Sequence, residues 1–262
     1  MMNFCKIISW NVDGFRARYQ KGQFIRVFDT DPDIVCIQET KTPINKIPTN
    51  LHEKIPGYTH HFSEVQEGSF AGVGIFSKKE PRDVRFNFDD NAFEDEGRIL
   101  IAEYDEFTLL NIYFPLGAEP YDSLPHKLEF YDAFLNYVKK LTEKKRRVIV
   151  CGDFNIAHQD IDLINPEMTK PMLGIFLDER EKLNNLINSL YFADAFRIKH
   201  KDAVKYTRWP YQKNARKNNL GWRLDYFFVS ENLQDSVTNC QTHQDFEGSD
   251  HCPISLELNL PI

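Results

Sequence analysis

No apolar run among the 262 residues approaches the roughly 20 needed for a membrane helix, so a helical membrane-spanning role drops out. Cysteine is sparse: the five are scattered, odd in number and without a CxxC pair, which argues against a disulfide frame or a zinc site. Cys5, Cys36 and Cys151 fall in apolar segments that read as buried strands, the pattern of reduced thiols in a cytosol-like compartment. The first residues hold one lysine and pass directly into Ile7-Ile8-Ser9-Trp10, without the layout of a signal peptide. A cytoplasmic protein is expected, nucleoid-associated, or nuclear in a eukaryote. No Gly/Ser/Pro-rich linker, composition shift or low-complexity segment divides the chain, so residues 1–262 read as one domain. Net positive charge is also missing: the balance is −7, which weighs against a simple nucleic-acid-coating protein.

The distribution of charge says more than its sum. Between Lys199 and Arg223 the basic residues are Lys199, Lys201, Lys205, Arg208, Lys213, Arg216, Lys217 and Arg223, against the single acid Asp202. Tyr206, Trp209, Tyr211 and Trp222 are interleaved with them. A basic, aromatic stretch on an acidic protein suits a polyanion that also has faces to stack on. The plainer alternative is a solvated loop with a few core aromatics, and for Trp209 core packing is the expectation.

Strand signals recur along the chain at residues 4–10, 34–37, 73–76, 98–104, 107–114, 148–152, 224–229 and 254–258. Residues 98–104 and 107–114 read as a hairpin around Asp105-Glu106. Helical spacing appears at 22–30, at 127–144 and at 178–190. Many short strands without regular βα alternation point to an α/β sheet sandwich, not a doubly wound sheet. The two strands that run into Asn11 and Asp13, and into Asp153 and Asn155, hint at a repeat of two halves.

Several of these strands end on polar groups: Asn11 and Asp13, Glu39, Tyr113, Asp153 and Asn155, Asp225, and the pair Asp250-His251. Each alone reads equally as a turn. Collected, they are better explained by strand ends that converge on a cation, since unpaired carboxylates repel one another. Hard oxygen donors without a Cys/His cluster favour Mg²⁺ or Mn²⁺ over zinc, and a phosphoester hydrolase is the natural reading.

The segments Ile-Ser-Trp-Asn-Val-Asp-Gly at 8–14, Ile-Gln-Glu-Thr-Lys at 37–41, Gly-Asp-Phe-Asn-Ile-Ala-His at 152–158, Asn-Leu-Gly-Trp-Arg-Leu-Asp-Tyr at 219–226 and Ser-Asp-His-Cys-Pro-Ile at 249–254 resemble the exonuclease III family of abasic-site endonucleases. They occur in family order across nearly the whole chain. The resemblance implies a four-layer α/β sandwich of two packed mixed sheets flanked by helices, as in DNase I. It implies a Mg²⁺-dependent enzyme, with Mn²⁺ as substitute, that cuts duplex DNA 5′ to abasic sites and leaves a 3′-hydroxyl, with 3′–5′ exonuclease or end-cleaning activity; the sequence carries no sign of oligomerisation, so a monomer is expected. Glu39, with Asp13 nearby, would hold the metal. Asp153 would deprotonate the attacking water. Asn155 and Asn11 would hold the site together and bind phosphoryl oxygens. His251, oriented by Asp225, would neutralise the phosphate, Tyr113 would hydrogen-bond it, and Asp250 would assist the metal or the leaving group.

By the same resemblance Trp222 and Leu224 line a pocket for the flipped sugar. Phe70 wedges into the minor groove, Arg98 contacts backbone phosphate, and Asn214 and Arg216 join the DNA-binding set. Three positions depart from the family pattern. Phe70-Ala71-Gly72 replaces Tyr-Ser-Gly, Pro115-Leu116-Gly117 replaces Pro-Asn-Gly, and Arg208 stands where a large aromatic is usual. An altered pocket opens the alternative of direct incision at a deaminated base such as uracil. A phosphatase or lipid phosphodiesterase on the same fold is the remaining alternative.

Overall fold

A computed structural model describes residues 4–66, 68–89, 93–118, 123–164, 177–212 and 214–262. Lys213 of the basic stretch lies outside the described residues. The strands are β1 (Cys5–Asn11), β2 (Ile34–Gln38), β3 (Thr59–Phe62), β4 (Val73–Ser77), β5 (Asp83–Arg85), β6 (Ile99–Glu103), β7 (Thr108–Tyr113), β8 (Val148–Asp153), β9 (Ala193–Asp194), β10 (Asp225–Val229), β11 (Val237–Thr242) and β12 (Ile254–Leu258). The α-helices are α1 (Phe15–Gln20), α2 (Leu51–Lys54), α3 (Leu124–Glu143), α4 (Leu177–Asn184) and α5 (Ala195–Lys199).

Two six-stranded sheets form, in the orders β11-β12-β1-β2-β4-β3 and β5-β6-β7-β8-β10-β9. Their pairing patterns are the same. Each has one central parallel pair, β1 with β2 and β7 with β8, and antiparallel partners on both sides. The hint of two related halves therefore has a counterpart in topology.

Strand alternation builds the layers. From β1, Cys5 and Ile7 enter the core between the sheets, while Ile8 and Trp10 face outward onto Phe15, Phe24 and Val27. From β8, Ile149 and Cys151 face inward, while Val148 and Val150 pack on α3 through Phe130, Tyr131 and Phe134. The result is the expected four layers: helices, sheet, sheet, helices. Continuing the same parity carries Asn11 and Asp153 inward, at the ends of their strands. The five cysteines are free and buried.

Helix α3 starts where Ser123 caps the backbone N–H of His126, with Pro125 in the first turn. Its buried stripe is Lys127, Phe130, Tyr131, Phe134, Tyr137, Val138 and Leu141, with Leu128 and Leu135 half-buried at its margin. The helical signal at 178–190 becomes α4 continued by a π-helical turn over Asn185–Ser189. That at 22–30 is a 3₁₀ segment over Ile25–Thr30.

A polar bolt joins the two sheets beneath the strand ends. Gln38 donates to Asn111 Oδ1 at 2.7 Å and to Ser9 Oγ at 3.0 Å. Asn111 in turn donates to the carbonyls of Ile37 and Gly74. All three side chains are buried.

Candidate active site

The strand ends meet along one edge of the sandwich. Asp153 is paired in register with Tyr113 on one side and Asp225 on the other. Asn11, from the opposite sheet, donates to Asp153 Oδ2 at 2.9 Å and to Glu39 Oε1 at 2.7 Å. His251 places Nδ1 2.8 Å from Asp225 Oδ2 and Nε2 3.7 Å from Asp153 Oδ2. Asn155 fixes Asp153 from behind, its backbone N–H on Oδ1 at 2.9 Å.

The backbone here is held in conformations that ordinary residues avoid. Asp13, Glu39, Lys41 and Asn155 all have positive φ, between 44° and 50°. Such left-handed residues cost about 1–2 kcal/mol each, and they cluster where a side chain must be aimed. Gly152 has φ 135°, and a Cβ there would lie 1.9 Å from the Ile112 carbonyl oxygen. Only glycine lets β8 approach β7 this closely just before Asp153.

Charge at the site is strongly redistributed. Burial pushes Asp153 up to about 7, with Asp225 and Glu39 adding to the rise and His251 opposing it. Burial would depress His251, but Asp225 and Asp153 outweigh it and raise the imidazole to about 10. At neutral pH His251 is therefore a cation facing a potential base. Tyr113 is held well above the usual phenol range by burial and by the Glu39 and Asp153 carboxylates, so it remains a neutral donor.

The site fits a hard divalent cation. Potential ligand atoms of Glu39, Asp153 and His251 all lie within 4.8 Å of one another, and with the imidazole protonated the carboxylate oxygens are the donors available to a metal. Asp225 Oδ1 is buried with no hydrogen-bond partner. The Lys41 ammonium lies 2.6 Å from Asp13 and 2.8 Å from Glu39, a sign of how much negative charge needs balancing. Of the residues expected at the metal, Glu39 is in the cluster. Asp13 adjoins it through Lys41 and also accepts from Tyr211 at 2.5 Å. Asp250 turns to Arg208, at 3.3 Å.

The expected DNA-binding residues divide into several groups. Phe70 is half exposed, its ring 5.9 Å from Lys41 Nζ. Arg98 is buried, its guanidinium 5.0 Å from the Tyr113 ring and its Nε on Glu96. Trp222 and Leu224 form a half-buried patch with Ala157 and Leu163. The Arg208 guanidinium lies 5.1 Å over the Trp222 ring. Asn214 is exposed on a groove of about 950 Å³ shared with Tyr211, Lys217 and Asp250. Arg216 borders that groove but directs its donors to the carbonyls of Gln244, Phe246 and Ser249, clamping one loop to another. Trp209 is buried beside Tyr206 and Cys252 and stacks under Arg216, as core packing predicts. Asn155 donates its amide to the Phe114 carbonyl, while Tyr113 and His251 stand beside Asp153 as the neighbouring donors.

Sequence reasoning missed two supports. Lys127 and Glu179 form an ion pair at 2.5 Å in which both side chains are fully buried. Lys127 also donates to the carbonyl of Asn155 at 2.8 Å and to that of Leu116 at 3.3 Å. A lysine on the apolar face of a helical pattern was the available signal. The second support is Arg223, fully buried, which donates to Asp162 through Nε and Nη2 and ion-pairs with Asp194 at 2.7 Å.

The profile of the Endonuclease/Exonuclease/phosphatase family matches residues 8–251. Recombination repair protein 1 of Drosophila melanogaster is 39% identical over 256 residues, which are 97% of this chain and 37% of that protein. The DNA-(apurinic or apyrimidinic site) endonuclease of Dictyostelium discoideum is 39% identical, over 98% of this chain and 72% of that one. The exodeoxyribonuclease of Bacillus subtilis is 34% identical, over 97% and 100%. The solved structure of an AP endonuclease from Archaeoglobus fulgidus superimposes with a TM-score of 0.87 at 29% identity, covering 98% of this chain and all of that one. With the strand ends converging as described, these matches show that the chain belongs to the Endonuclease/Exonuclease/phosphatase family, on its branch of DNA repair nucleases.

Proposed function

We propose that the protein is a divalent-metal-dependent phosphodiesterase that incises duplex DNA 5′ to abasic sites and leaves a 3′-hydroxyl, with Mg²⁺ as the working ion. The observation that carries this reading is Asp153: a buried carboxylate held between Asn11, Asn155 and the His251 cation. Asp153 takes a proton from water and orients the resulting nucleophile toward phosphorus. His251 and Tyr113 donate to the non-bridging oxygens, where charge grows during displacement. Asp225 keeps the imidazole turned toward the substrate. Asn11 aligns Asp153 with Glu39. Glu39, with Asp13 beside it, would hold the metal, which when bound supplies positive charge for the departing 3′ oxygen. Phe70 beside Lys41, Asn214 and Lys217 on the groove that reaches Asp250, and the Trp222 patch beneath Arg208 suit a duplex with one nucleotide turned out.

Incision of a labelled duplex carrying one abasic site, with Mg²⁺ and with EDTA, tests this reading. Matched duplexes with uracil or no lesion run beside it. A Mg²⁺-dependent nick 5′ to the abasic site supports the proposal. Equal cutting of the uracil duplex points to direct incision at deaminated bases. No cutting in any lane overturns it.

A further inference from the structure

We infer that Arg208 is a specificity-determining residue that favours a strand end bearing a 3′-phosphate over an abasic deoxyribose. The inference rests on the phosphodiesterase reading and adds to it the kind of group that the patch beside His251 receives.

Residue 208 pairs through its backbone with Trp222 on one side and with His251 on the other, so its side chain stands between the apolar patch and the catalytic histidine. The guanidinium covers the Trp222 ring at 5.1 Å. Asp250 engages Nε at 3.3 Å and so fixes the plane of the group. Among the described residues no acceptor meets its two Nη nitrogens, and the side chain is about one-third exposed. The patch of Trp222, Leu224, Ala157 and Leu163 is therefore roofed by a cation with an open donor edge.

A deoxyribose without a base brings little to that edge. It must displace the guanidinium from the indole or leave the Nη donors without acceptors, and sites built around hydrogen-bond donors discriminate strongly against ligands that cannot fill them. A phosphate monoester differs from the internal diester in having a terminal oxygen, and one more negative charge, on the side where the next nucleotide would otherwise continue. A planar fork of N–H donors matches such oxygens in pairs. The reaction is the same hydrolysis: water oxygen bonds to phosphorus, the P–O3′ bond breaks, the 3′ oxygen leaves and takes a proton, and inorganic phosphate is released.

The test compares kcat/KM on two duplexes of one sequence, a nick ending in 3′-phosphate and an internal tetrahydrofuran abasic analogue, for the wild type, Arg208→Trp and Arg208→Lys. The expected result is a ratio of 3′-phosphate removal to abasic incision that falls at least about tenfold in Arg208→Trp and by less in Arg208→Lys, which keeps the charge but not the fork. A ratio within about twofold of wild type in both variants overturns the role of Arg208 while leaving the nuclease reading intact. A wild-type protein that cleaves neither duplex overturns both. If Arg208→Trp does not fold, as judged by circular dichroism, an unchanged ratio in Arg208→Lys overturns the inference and a fall of about threefold or more supports it.

Discussion

Asn11 and Asp153 lie 142 residues apart in the chain, and the amide of one is 2.9 Å from the carboxylate of the other. The contact crosses from one sheet to the other, and the same amide nitrogen also reaches Glu39. Replacing Asn11 by Asp would set a third carboxylate against two that are already close. The expected outcome is a loss of about 10²-fold or more in kcat for incision, with secondary structure retained by circular dichroism. Near-normal turnover in Asn11→Asp would show that the alignment is unimportant.

Glu39 stands in the one cluster of ligand groups found among the described residues. Glu39→Gln should raise the metal concentration needed for half-maximal activity by about 10–100-fold. Calorimetric titration with Mn²⁺ should show the same weakening. An unchanged affinity would move the metal away from Glu39.

The Lys127–Glu179 pair is fully buried, so removing one partner leaves a buried charge behind. Glu179→Gln should destabilise the fold by about 3–5 kcal/mol in urea denaturation. The double change Lys127→Met with Glu179→Leu should recover part of that loss. It should still lower activity, because Lys127 also holds the carbonyl of Asn155. Full activity in the double variant would deny Lys127 any role in positioning the loop.

Asp162 supplies a pH test remote from the catalytic groups. Burial would raise its carboxyl, but Arg223 and Arg197 outweigh it and hold it below the ordinary range. A depressed carboxyl contributes stability above its unfolded value, near 3.9, and loses it as pH falls through the folded value. Asp162→Asn should therefore lower the melting temperature markedly at pH 7, and the gap from wild type should close progressively below about pH 4. A gap of constant size between pH 7 and pH 3 would exclude the ionic contribution.

Much of this arrangement is legible in the order of the amino acids, for a physical reason. β2, β8 and β10 are buried on both faces, so they appear as continuous apolar runs, and a polar side chain at the end of such a run stands out. β3, β5, β9 and β11 lie at sheet edges. They are short or half exposed, as in Thr59-His60-His61 and Asp83-Val84-Arg85, and carry no comparable signal. Helix α1 has six residues and one buried side chain, too little to register a period. The Gln38–Asn111 bolt is invisible locally, because each member is an isolated amide whose partner is fixed only when the sheets stack. Arg216 illustrates what charge along the chain does not reveal. Its place in a basic, aromatic stretch suggested DNA, while its donors close on three backbone carbonyls of a neighbouring loop.

The matched pairing of the two sheets has a consequence for control. Asn11 and Glu39 come from one sheet, Asp153, Tyr113 and Asp225 from the other, and the Gln38–Asn111 contact sets their alignment. A slip of one residue, about 3.3 Å, between the stacked sheets would separate every one of these groups from its counterpart. Neither half holds a blade of its own. A chain caught with its halves undocked, whether during synthesis or on unfolding, lacks the assembled site, and the proposed nuclease activity arises in the same step that completes the fold.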